Sequence, residues 1–181
     1  MSESSWSLTA ADGELRIMTG VAGRAAKMGH RLTIGMRSWQ AAVRWAGSRP
    51  TGAELSVDVA SLAVLGGEGG LTPLAGPEKG IAASNALKSL EAKKFPQIRF
   101  TADDVVKTAD GYRLTGAVEI HGTSRPQIVD VAVGDQGDTL ALSARVQLAQ
   151  SDFGIKPYSL MMGALKVADE VTIDFAAKHS K

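Results

Sequence analysis

Three histidines and no cysteine set the limits on the chemistry this chain can attempt. Without a thiol there is no disulfide, no thiolate metal site and no cysteine nucleophile. His30, His121 and His179 lie far apart in sequence, and none forms an HxH or HExxH spacing that would suggest zinc. Each reads first as a capping, loop or surface residue, because a catalytic base needs a second group to orient it. Ser124 follows Gly122-Thr123 in what reads as a turn, where hydroxyls bond nearby backbone. There is no GxSxG elbow to activate a serine. The run Gly66-Gly67-Glu68-Gly69-Gly70 lacks a following GK[ST] and completes no GxGxxG, so it reads as a flexible loop and not as a phosphate cradle. The carboxylates are scattered over polar faces. These absences lead us to expect a protein that is not an enzyme and that uses no cofactor and no metal.

The composition narrows the partners. The chain has 181 residues, 44% of them hydrophobic, and 20 Lys+Arg stand against 19 Asp+Glu for a net charge of +1. That length suits one domain covering residues 1–181, with a sizeable core. A near-neutral chain lacks the basic face a nucleic-acid binder needs. No apolar run reaches the ~18–20 residues of a transmembrane helix. Met1-Ser2-Glu3-Ser4-Ser5 carries no basic start and apolar stretch, so a cytoplasmic location is expected, or a periplasmic one if a signal was removed.

The elements that would position any site follow a period of two. Leu55, Val57 and Val59 alternate with polar residues, as do Tyr112, Leu114, Val118 and Ile120. Leu140 to Leu148 and Val171 to Phe175 repeat the pattern. Such segments are half-buried antiparallel strands. Weaker candidates are Leu15 to Thr19, Arg31 to Met36, Trp39 to Trp45, Ile98 to Val106 and Gln127 to Val133. Asp110-Gly111 lies between two strand patterns and marks a hairpin. Gly20 to Gly29 and Tyr158 to Ala164 suit short helical turns. Ile81 to Ala92 places Ile81, Ala83, Leu87 and Leu90 at helical spacing. Lys88, Lys93 and Lys94 beside it read as a solvated face, with an anionic membrane surface as the sharper alternative. Eight or nine strands with one-sided alternation suggest a sheet closing on itself. A barrel of ~8 strands either packs side chains inside or holds one small ligand. The inward positions favour small residues such as Ala41, Val43, Gly116 and Ala144, which leans toward a cavity fit for a long alkyl or isoprenoid chain.

Several short segments, in order, resemble the YceI-like family. Gly29-His30 before a strand, Phe95-Pro96-Gln97-Ile98-Arg99-Phe100, Ile120-His121-Gly122-Thr123-Ser124-Arg125-Pro126, Ser151-Asp152-Phe153-Gly154-Ile155 and Ala168-Asp169-Glu170-Val171 carry the likeness. The stretch Gly66 to Pro77 is longer and richer in glycine than that family's usual link. The resemblance implies an all-β fold: an extended antiparallel, eight-stranded, lipocalin-like β-barrel with one or two short helices. It also implies binding of a polyisoprenoid or other long-chain lipid, often within a homodimer. Alternation within that frame assigns Trp39, Phe100, Leu114, Val118, Leu142, Val146, Phe153 and Ile173 to the cavity wall. His30 and Arg125 become candidates to meet a phosphate head group at a mouth. Two other readings stay open: a small-substrate enzyme using His30 or His121, and a filled barrel acting as an interaction module.

Overall fold

The computed structural model describes residues 2–181. In chain order it contains β1 (Glu3–Thr9), β2 (Gly13–Ala22), β3 (His30–Met36), β4 (Trp39–Ala46), β5 (Arg49–Asp58), β6 (Leu62–Gly69), α1 (Gly76–Ser89), β7 (Gln97–Lys107), β8 (Gly111–Ile120), β9 (Thr123–Asp135), β10 (Thr139–Ala149), β11 (Ser159–Leu160) and β12 (Leu165–Ser180). Short 3-10 turns occupy Ala26–Met28, Val59–Ser61, Gln150–Phe153 and Met161–Gly163. The alternating segments all become strands, as the burial of one face demands. The hairpin at Asp110-Gly111 joins β7 to β8.

The sheet corrects the expected closed barrel of eight strands. Eleven strands form one hydrogen-bonded path, β1-β4-β5-β7-β8-β9-β10-β12-β2-β3-β6, with β11 pairing β12 at its side. Every pairing is antiparallel. The path ends at β1 and β6 instead of returning on itself. Helix α1 follows β6 and leads into β7. Its Ala83, Ala86 and Leu87, with Leu90 directly after it, pack on the core.

One further expectation changes. The glycine cluster is not a flexible loop: Gly66 to Gly69 are the end of β6, paired with Thr33 to His30 of β3. A register shift at Thr33/Ile34 leaves Leu65 out of the pairing, which is how an edge strand takes up an extra residue. The N-terminal residues, whose only apolar side chains after Ser2 are Trp6 and Leu8, form β1 along β4.

The longest strand, β12, is the spine. It pairs with β10 from Thr139↔Ser180 to Ala149↔Glu170 and with β2 on its other edge. At the middle of β8, Gly116 lies so close to β7 that a Cβ there would stand 1.9 Å from the Thr101 carbonyl oxygen. Only glycine lets these two strands approach this closely. The buried residues fall into two clusters. One gathers Leu8, Leu15, Ile34, Met36, Trp39, Val57, Leu62 and Ala177. The other gathers Phe100, Ala102, Val118, Ile120, Phe153 and Ile155. Leu55, Leu90 and Ile98 pack against both.

Candidate functional site

Between the two clusters the curled sheet lines a cavity of about 410 Å³ that is open to solvent at its margin. That is within the ~300–1,000 Å³ of ordinary small-molecule sites. Its wall is almost wholly apolar and draws on β2, β3, β5, β7, β8, β9, β10 and β12. Alternation explains this. Leu142, Ala144, Val146 and Leu148 face inward from β10, while Arg145 turns outward to bond Asp174 through its Nε at 2.7 Å.

Seven of the eight residues assigned from sequence stand on this wall: Phe100, Leu114, Val118, Leu142, Val146, Phe153 and Ile173. Trp39 does not. It is 3% exposed within the first cluster and meets Phe175 edge-on at 5.3 Å. Phe175 is the residue that lines the cavity, so Trp39 supports the wall from behind.

Helix α1 supplies a face that hydrophobic periodicity alone misses. Ala82, Asn85, Ala86 and Ser89 line the cavity. These positions run i, i+3, i+4, i+7, one stripe of a helix. Two of them are polar, so a count of apolar residues picks out Ile81 instead, which is exposed. The helix also starts earlier than its apolar pattern suggests, with Pro77 in its first turn and the Glu78 side chain accepting from the Ala75 backbone N–H.

The β9–β10 ladder runs only from Leu140↔Asp135 to Ala144↔Val131. Beyond that point the turn Gln150–Phe153 folds back beside both strands. Arg125 on β9 donates through Nε to the Asp152 carbonyl at 2.8 Å. His121 bonds the Phe153 carbonyl through Nδ1 at 3.1 Å and Glu91 through Nε2 at 2.5 Å. The aromatic ring of Phe153 is thereby held against the cavity. His121 thus has a carboxylate beside it, but its ring is packed against Phe95 and is not part of the cavity wall.

The remaining candidates sit at the margins. His30 opens β3, and its Nε2 bonds the Thr72 carbonyl at 2.6 Å. His179 stacks on Trp6 at 3.8 Å near the end of β12. Among the described residues, no group of three or more metal-ligating side chains comes together.

The perturbed carboxylates are outside the cavity. Hydrogen bonds from Ser38 and Gln97 hold Asp58 below the usual carboxylate range. The Arg113 guanidinium does the same for Asp130, and Arg145 for Asp174. Lys181, with the Gly137 backbone N–H, lowers Asp135. None of these four residues lines the cavity. The arrangement can take up an apolar molecule.

Among the described residues, no helix is long and apolar enough to cross a membrane. Comparison with known families matches residues 5–179 to the YceI-like domain. No curated protein sequence matches the chain. Among solved structures, it is similar to BcnA of Burkholderia cenocepacia, with a TM-score of 0.72 and 21% identity over 94% of this chain and 98% of that one. It is also similar to the Campylobacter jejuni YCEI protein, with a TM-score of 0.60 and 14% identity over 82% and 84% of the two chains. Likeness at these identities establishes a shared fold.

Proposed function

The chain belongs to the YceI-like family, and from that premise we propose that it binds a long apolar lipid, a polyisoprenoid or related chain, in its cavity without acting on it chemically. The observation that carries the reading is the apolar cavity of about 410 Å³ lined by sheet and helix. The family's association with polyisoprenoid binding supports it.

The physics sets a minimum ligand. Each buried CH₂ contributes ~0.8 kcal/mol, while association costs ~4–15 kcal/mol. A chain of about ten carbons contributes ~8 kcal/mol, inside that range of costs, so a longer chain gains affinity. Phe100, Leu114, Val118, Leu142, Val146, Phe153 and Ile173 are the proposed contacts, and Trp39 acts through Phe175. His30 and Arg125 are the proposed partners of a phosphate head. Replacing either should weaken a polyprenyl phosphate and spare the free alcohol; equal weakening of both ligands refutes that part.

The test is organic extraction of the purified protein followed by mass spectrometry, with a denatured and refolded sample as control. A stoichiometric isoprenoid or acyl lipid supports the reading. An extract that is empty, and stays empty after incubation with prenyl lipids, refutes it.

A further inference from the structure

One end of the molecule carries an exposed apolar surface that the cavity does not use. Met28, Leu71, Leu160, Met161 and Met162 are all exposed there, Met162 fully so at 106%. They belong to three segments that the fold brings together. The Ala25 backbone N–H donates to the Ala164 carbonyl at 2.8 Å, joining the turn after β2 to the turn before β12. Leu160 pairs with Leu165, and Lys166 pairs with Ala22. His30 reaches the Thr72 carbonyl, joining the start of β3 to the loop after β6. Tyr158 and Val167, in the same end region, line the cavity. The surface therefore adjoins a margin of the cavity.

Its charge is one-sided. Residues 20–31, 69–77 and 154–167 contain no Asp or Glu, yet they carry Arg24, Lys27, Arg31, Lys156 and Lys166. Among the described residues, Arg31 is the one of these cations with an acidic partner, Glu68 at 3.7 Å. Arg24, Lys27, Lys156 and Lys166 are exposed. The apolar tip is also held in an unfavourable backbone conformation. Met161 and Met162 have φ of 54° and 57°, a region that side-chain-bearing residues rarely occupy and that is retained mainly where it serves a purpose.

Exposed methionine and leucine beside four exposed cations, with Glu68 paired to the fifth, Arg31, match one surface chemistry. Lipid headgroups of an anionic bilayer attract the cations, and the interface accepts the apolar tips. We propose that this end of the molecule docks on an anionic bilayer, setting the cavity margin against the lipid. The docking surface is distinct from the cavity, although its purpose rests on the lipid-binding reading.

The experiment is co-sedimentation of the full chain with vesicles free of isoprenoid, made of phosphatidylcholine alone or with phosphatidylglycerol. Binding should be strong only with the anionic lipid and should fall with salt. Each Lys or Arg near such a surface contributes ~1 kcal/mol, or about 5-fold, so Lys27→Gln with Lys156→Gln should weaken binding about 25-fold. Met161→Ser with Met162→Ser should weaken it by about 10-fold or more. Both variants should still take up prenyl lipid presented in detergent, and this separates a failure of docking from a failure of the cavity. Equal binding to neutral and anionic vesicles, no binding, or no response to either variant overturns the proposal. So does a methionine variant that instead splits a dimer in sedimentation analysis, since a second copy would then be the occupant.

Discussion

Phe153 offers the sharpest test of how the wall is held. It is 3% exposed, packs in the second cluster and also faces the cavity. In Phe153→Ala the turn's backbone carbonyls survive, so the bonds from His121 and Arg125 to residues 153 and 152 remain available. The loss is then one of packing. Removing a buried Phe costs ~3–5 kcal/mol. One side of this ring already borders empty space, so the low end, about 3 kcal/mol, is expected. With a urea dependence of ~2 kcal/mol per molar, the unfolding midpoint should fall by about 1.5 M. Phe153→Leu keeps most of the volume and should cost under ~1.5 kcal/mol. Bound lipid at 100 times its dissociation constant would restore ~2.7 kcal/mol to any chain that still binds. A shift below about 0.5 M in Phe153→Ala would refute the view that this ring closes the second cluster.

Three other outcomes follow from the same geometry. Gly116→Ala forces a methyl group against the Thr101 carbonyl and should destabilise the sheet by ~1–3 kcal/mol, measured by thermal unfolding; an unchanged midpoint would contradict the close approach of β7 and β8. Asp58, Asp130, Asp135 and Asp174 all have lowered folded-state pKa values. Their stabilisation is therefore present above the unfolded value of ~3.9 and lost as pH falls through the folded values. Asp174→Asn should lower stability at neutral pH and converge with the wild type in acid, and a constant difference across the titration would refute the linkage. Arg125→Ala removes the donor to the Asp152 carbonyl and should raise amide hydrogen exchange in residues 150–155 while leaving β12 protected. Uniform protection would show that the turn is held by packing alone.

The sequence was readable wherever one face of a strand is apolar. The residues from Leu140 to Leu148 alternate so cleanly that four of their five inward positions, Leu142, Ala144, Val146 and Leu148, stand on the cavity wall, and Leu114 and Val118 do the same. Legibility failed where the fold relaxes that rule. Edge strand β6 ends in glycines, which have no side chain to reveal a period, and β1 offers only Trp6 and Leu8 as apolar markers. Closure is not legible in the sequence, because alternation reports which face is buried and says nothing about whether two edges meet. The α1 face escapes a count of apolar residues, because the helix lines an apolar cavity with Asn85 and Ser89 beside two alanines. Trp39 followed the correct face but stands behind Phe175, a depth that periodicity does not encode.

The central claim is that a long apolar chain occupies this interior. It is tested most directly by native mass spectrometry of delipidated protein titrated with a long-chain polyprenol, in parallel with Leu142→Trp, whose larger ring would project into the cavity. The account requires one polyprenol per chain in the wild type and little or none in the folded Trp variant. Equal occupancy in both, or none in the wild type, would contradict it.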